Sequence, residues 1–157
     1  MHQHVPPPTR DAGRPIRIVI ADDHTLFAEA LALAFKSDPR FDVVGLAENG
    51  EEALELAASR HPEVVLMDLH MPVMDGIEAT QRLRLASPGA RVVVVTASTS
   101  PEDSERARAA GAVAYIRKWS SADELREAVE EAAADAAPLE ASRSQGRWRP
   151  FPLLRSA

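Results

Sequence analysis

Apolar and polar positions alternate along this chain with two different periods. Five short runs are dense in β-branched residues and read as strands: IRIVIA (16–21), FDVVGLA (41–47), VVLMD (64–68), RVVVVTA (91–97) and AVAYIRK (112–118). The third and fourth are apolar almost without a break. That is the pattern of a strand in a parallel sheet covered by helices on both faces.

The segments between these runs have helical spacing. Residues 25–37 place Leu26, Ala30, Leu33 and Ala34 on one face, and Asp38-Pro39 stops them. Asn49 with Glu52 forms an N-cap pair for a second helix that ends near His61-Pro62. Asp75-Gly76 opens a third helix of weaker period. Ser100-Pro101-Glu102-Asp103 supplies a cap, a first-turn proline and two acids to a fourth, which Gly111 ends. Ser121 with Glu124 is a capping box for a fifth, with Leu125, Ala128, Val129 and Ala132 on one stripe. The outcome is five βα units. Right-handed crossovers turn them into an α/β fold, an open parallel sheet with helices on both sides.

Composition narrows the picture. A chain of 157 residues suits one domain with its own core. The folded part is expected at residues 16–136. A polar, proline-rich leader (1–15) precedes it, and a basic tail containing Pro and Arg (137–157) follows; both are expected to be disordered. The net charge of −6 argues against non-specific nucleic-acid binding by the whole chain. The absence of cysteine excludes disulfides and fits a cytoplasmic protein. No apolar run approaches the roughly 20 residues that span a bilayer, so no membrane contact is expected.

The chemistry gathers at one end of the sheet. In open α/β sheets, ligands bind outside the carboxyl ends of the strands, where the strand order reverses. The first strand ends in Asp22-Asp23, the third in Asp68, the fourth in Thr96 and the fifth in Lys118. Taken singly, these are ordinary residues: a solvated turn, a packing threonine, a surface lysine. Taken together, they bring three carboxylates, a hydroxyl and an ammonium to one pocket. Asp22 and Asp23 have no obvious basic neighbour in sequence, so their repulsion calls for a cation. An all-oxygen donor set suits a hard ion such as Mg²⁺. A carboxylate nucleophile beside such an ion, a lysine and a hydroxyl is equipped to take up a phosphoryl group.

The stretches IVIADDHTLFAEAL, VVLMDLHMPVMDGIEA, VVVVTAS and GAVAYIRK, spread over residues 16–134, resemble the receiver (CheY-like) domain of two-component response regulators. ADDHTLFAEAL is most similar to the NarL/LuxR-type subfamily, whose full-length members carry a helix-turn-helix output domain. The resemblance implies a flavodoxin-like, doubly wound sheet in the order 2-1-3-4-5 with five helices. It implies that Asp68 is the phosphoacceptor, and that Asp23, Asp22 (mainly through water), Asp68 and the backbone carbonyl of His70 hold Mg²⁺. It further implies that Thr96 and Lys118 contact the phosphoryl group, and that Tyr115 is the aromatic switch, turning inward when Thr96 moves. Positions 70 and 98, two beyond Asp68 and Thr96, tune phosphoryl lifetime in the family. One departure stands out: Trp119 follows Lys118 where the family usually has a proline, often in a cis bond.

The implied role is that of a non-enzymatic receiver that assists its own Mg²⁺-dependent phosphorylation and dephosphorylation. A histidine kinase or phosphotransfer protein charges Asp68, and a face over about residues 101–134 reports the change to a downstream protein. A phosphorylation-dependent homodimer is left open. A haloacid-dehalogenase-type phosphatase shares the strand-end aspartate, but has a second acid where His70 stands. A receiver-like module that never takes phosphate conflicts with the intact acid set. Residues 138–157 are too few for an output domain, so a stand-alone receiver without direct DNA binding is expected, the alternative being a fragment of a DNA-binding regulator.

Overall fold

The five apolar runs form five parallel strands in a computed structural model that describes residues 13–134. In chain order the elements are β1 (Ile16–Ala21), α1 (Thr25–Lys36), β2 (Phe41–Ala47), α2 (Gly50–Arg60), β3 (Val64–Met67), α3 (Gly76–Ala86), β4 (Arg91–Thr96), α4 (Pro101–Ala110), β5 (Ala114–Arg117) and α5 (Ala122–Ala134). The strands lie in the order β2-β1-β3-β4-β5. The chain therefore goes first to one edge, returns past β1, and builds outward to the other. The reversal falls between β1 and β3. There Ala21 stands opposite Met67, so the next residues, Asp22 and Asp68, leave the sheet side by side. On the far side, Thr96 pairs with Arg117, and the Lys118 N–H donates to the Thr96 carbonyl at 3.0 Å.

Period-two alternation sorts the core into two layers. Ile18, Ile20, Leu66, Val93 and Val95 pack with residues of α1 and α5. Val19, Ala21, Val65, Met67 and Val94 pack with residues of α2, α3 and α4. Both faces are dry, which is why the central strands read as unbroken apolar runs.

The expected caps form as local hydrogen bonds. The Glu124 N–H donates to Ser121 Oγ (3.1 Å) and the Ser121 N–H to Glu124 Oε2 (3.0 Å), a closed capping box. Asn49, Asp75 and Ser100 each accept from the N–H three residues on, at 2.9, 2.8 and 3.4 Å. Gly111 closes α4 in the left-handed region at φ 113°.

Two expectations need correction. Strand bounds shrink: β3 ends at Met67, β4 at Thr96, and β5 spans only Ala114–Arg117. Ala112 is still tied to α4 through a hydrogen bond to the Ala107 carbonyl, so the last strand starts later than the apolar run. The second correction concerns α1. The residues facing the core are Ala28, Leu31, Ala32 and Phe35, while Leu26 and Leu33 are 84% and 69% exposed. The sequence TLFAEALALAFK is apolar nearly all round, so spacing allowed two stripes. Tertiary contact chose between them: Phe35 meets Phe41 of β2 edge-on, with ring centroids 4.9 Å apart.

The leader and tail expectations fall outside the described residues, apart from positions 13–15. Among the described residues, no helix is long and apolar enough to cross a membrane.

Candidate functional site

Asp22, Asp68 and Thr96 are buried polar residues at the carboxyl ends of β1, β3 and β4. Burial of charge demands partners, and each carboxylate has them. Lys118 Nζ lies 2.7 Å from Asp22 Oδ2 and 3.1 Å from Asp68 Oδ2. The Leu69 N–H donates to Asp68 Oδ1 at 2.8 Å. His24 Nδ1 stands 3.1 Å from Asp22 Oδ1 and 3.4 Å from Asp23 Oδ1, and the His24 N–H donates to Asp22 Oδ1 at 2.9 Å. Lys118 Nζ also sits 4.9 Å from the centre of the Phe27 ring, a cation–π contact on the α1 side.

The electrostatics are those of crowded acids around one ammonium. Burial, and next the charge of Asp22, hold the Asp68 carboxyl above the usual carboxylate range; Lys118 and the Leu69 N–H oppose them. For Lys118, burial favours loss of the proton, but hydrogen bonds to Asp22 and Asp68 outweigh it and keep the ammonium more basic than usual. Ligand atoms of Asp22, Asp23, His24 and Asp68 all lie within 4.8 Å of one another. Three carboxylates with one lysine leave excess negative charge, and oxygen donors dominate the set, so these residues fit a hard divalent cation.

The backbone behind Asp68 is closely built. A Cβ added at Gly76, the first residue of α3, would meet the Asp68 carbonyl oxygen at 1.9 Å. The Gly76 N–H donates to the Leu69 carbonyl at 2.8 Å. Ahead of it, Met74 N–H donates to the Pro72 carbonyl at 2.7 Å around Val73, which holds φ at 68°.

Comparison with known proteins gives the family of the chain. The family model for the response regulator receiver domain matches residues 18–130. The chain belongs to the response-regulator receiver family. The receiver is 38% identical over 120 residues to the nitrate/nitrite response regulator protein NarL of Escherichia coli (strain K12), covering 76% of this chain and 56% of that one. It is 40% identical over 114 residues to the transcriptional regulatory protein DegU of Brevibacillus brevis, covering 73% of this chain and 48% of that one. The chain thus spans about half the length of these curated relatives. Among solved structures, the signal receiver domain of the putative response regulator NarL from Mycobacterium tuberculosis superposes with a TM-score of 0.75 at 34% identity, covering 77% of this chain and 98% of that one.

Within the receiver, Asp22, Asp23, Asp68 and Lys118 converge on one pocket. Thr96 borders it from β4, its hydroxyl accepting from the Ser98 N–H at 3.2 Å. Tyr115 is already buried and inward. Burial pushes its phenol up, partly opposed by the Ser98 hydroxyl beside it. The His70 side chain lies against α4, with Nε2 3.4 Å from Asp103 Oδ2. All peptide bonds in the described residues are trans, including the one before Trp119, and Lys118 still reaches both acids. Trp119 lies over solvent, its ring 5.3 Å from the Arg117 guanidinium carbon.

Asp22 and Asp23 have no obvious basic neighbour in sequence, and the fold supplies one from far along the chain. Lys118, 96 positions from Asp22 in sequence, pairs with Asp22, and His24 touches both acids. The signal for His24 was present in ADDH, an imidazole directly after the acids. The contacts of Phe27 and Asp103 had no comparable local signal.

Proposed function

We propose that this receiver takes a phosphoryl group on Asp68 from a histidine kinase or phosphotransfer protein, and that the charged form changes a protein-binding face. The observation that carries the reading is the placement of Lys118 Nζ, 3.1 Å from a carboxylate held with two further acids. An Asp68 carboxylate oxygen attacks phosphorus, the donor's bond to phosphorus breaks, and the donor leaves with that electron pair. An acyl phosphate remains. Lys118, already within hydrogen-bond reach, offsets charge on the transferred oxygens. Thr96 turns its hydroxyl from the Ser98 amide to the new oxygens as a donor. Asp22, Asp23, Asp68 and the His70 carbonyl would hold Mg²⁺, which when bound supplies further neutralisation of phosphoryl charge.

The reporting face is α4, β5 and α5, about residues 101–134. Its first helix is thinly anchored: α4 buries only Ala107 and Ala110, where α1 buries Leu31 and Phe35 as well as two alanines. A helix with so little buried apolar surface shifts at low cost. Tyr115, between this helix and β4, couples its position to Thr96.

The test is exposure of the purified chain to acetyl phosphate with Mg²⁺. Wild type should form one acid-stable, base-labile acyl phosphate, and Asp68→Asn should form none. Normal labelling of Asp68→Asn would refute the assignment. Turnover of unrelated phosphate esters would point to a phosphatase instead.

A further inference from the structure

One carboxylate outside the acid pocket ties together three segments that surround it. Asp103 lies in the first turn of α4, with its side chain 16% exposed. Its Oδ2 accepts from Ser98 Oγ at 2.6 Å and lies 3.4 Å from His70 Nε2. Arg106 Nη1 stands 3.7 Å from its other oxygen, and its own N–H donates to Ser100 Oγ. Ser98 and His70 are the residues two beyond Thr96 and Asp68. Asp103 therefore joins the loop after β3, the loop after β4 and the start of α4.

We propose that Asp103 is a positioning residue that latches the resting receiver, chiefly through its bond to Ser98. The proposal rests on the roles assigned above to Asp68 and Thr96.

The same loop holds both ends of the latch. The Thr96 hydroxyl accepts from the Ser98 N–H, and the Ser98 hydroxyl donates to Asp103 while accepting from the Ser100 N–H at 3.2 Å. For Thr96 to donate to a phosphoryl group, its oxygen must leave the Ser98 amide, and residues 97–100 must shift. That shift draws Ser98 Oγ from Asp103. The Ser98–Asp103 bond is charge-assisted and partly shielded from water, so breaking it is a cost of reaching the charged conformation. A ligand moves such an equilibrium only by its difference in affinity for the two states. Weakening a bond present only in the resting state makes the charged state easier to reach and tightens binding of any phosphoryl mimic. His70 leans on the same carboxylate from the acceptor side, so the two loops flanking Asp68 are held by one group.

The probe is beryllofluoride with Mg²⁺, titrated calorimetrically into the full chain. Ser98→Ala and Asp103→Ala should each tighten apparent binding by about tenfold, the weight of one charge-assisted hydrogen bond. The double variant should bind no more tightly than either single, because both remove one shared bond. Asp103→Asn keeps an acceptor oxygen for Ser98 but not the charge, so its affinity should fall between those of wild type and Asp103→Ala, which a merely structural loss at the helix start would not predict. Mg²⁺ affinity without beryllofluoride should be the same in wild type and all four variants. Unchanged or weakened beryllofluoride binding in both single variants, or additive effects in the double, would overturn the latch while leaving the reading of Asp68 intact. No beryllofluoride binding by wild type would overturn the reading of Asp68, and the latch with it.

Discussion

Lys118 and Asp22 form the tightest ion pair of the acid pocket, at 2.7 Å, with both side chains largely out of solvent. The lysine follows β5 at one edge of the sheet, while the aspartate follows β1 beyond β3 and β4. Its ammonium spans that distance to offset charge among the acids. In metal-free buffer it partly fills the role that a divalent cation would take.

Removing that ammonium should therefore expose the repulsion. Lys118→Ala is expected to lose about 3 kcal/mol of stability without divalent ions, as for other broken buried pairs. Mg²⁺ should then stabilise this variant more than it stabilises wild type, because no competing cation remains. Thermal melts with chelator and with Mg²⁺ measure both. An equal Mg²⁺ response in the two proteins would count against the competition.

Asp23 touches His24 at 3.4 Å, while Lys118 pairs with Asp22 and Asp68, so in the proposed site Asp23 would serve the metal more than the fold. Mg²⁺ at a hundredfold excess over its Kd should add roughly 2.7 kcal/mol to wild type. Asp23→Ala should fold normally and lose most of that gain. Retention of the full Mg²⁺ response would contradict the ligand assignment.

The Asp68 carboxyl, raised by burial and by Asp22, gives a pH-dependent signature. Because the folded form holds the proton more tightly than the unfolded chain does, its contribution is fully present below the unfolded pKa. It is lost as pH rises through the folded value. In metal-free buffer at pH 7, Asp68→Asn should thus be more stable than wild type. The difference should close as pH falls towards the ordinary value of 3.8. A gap that widens in acid would have the wrong sign.

The orientation of α1 is open to a direct comparison. Leu31→Ala empties a core position and should cost about 3 kcal/mol. Leu33→Ala, two residues on but exposed, should stay within about 0.5 kcal/mol of wild type. Denaturant titration separates them, and similar losses would mean that the helix is rotated.

Val73 is a β-branched residue held at φ 68° in an exposed turn. Glycine reaches positive φ without a Cβ clash, so Val73→Gly should relieve the strain and leave the melting temperature unchanged or higher. A lower melting temperature would show that the valine side chain holds the turn in place.

What could be read from the sequence was what is local. β1 and β2 keep the bounds expected of them, and the Ser121–Glu124 box closes within four residues. The four strand-end groups were legible because a parallel sheet brings the carboxyl ends of its strands to one edge. Contacts set by tertiary packing were not. Lys118 meets Asp22 only after β5 docks beside β4, and Phe35 outranks Leu33 only because Phe41 lies across from it. Asp103 reads as a helix-start acid, and its bond to Ser98 depends on the path of the intervening loop.

Gly76 has no side chain that could bind, donate or react, yet the Asp68 carbonyl oxygen occupies the place of that missing side chain. Any substitution there must displace the backbone of Asp68 itself. A functional screen of single substitutions would then score Gly76→Ala beside Asp68→Asn, and a ranking by loss of activity alone would credit chemistry to a residue whose contribution is empty space.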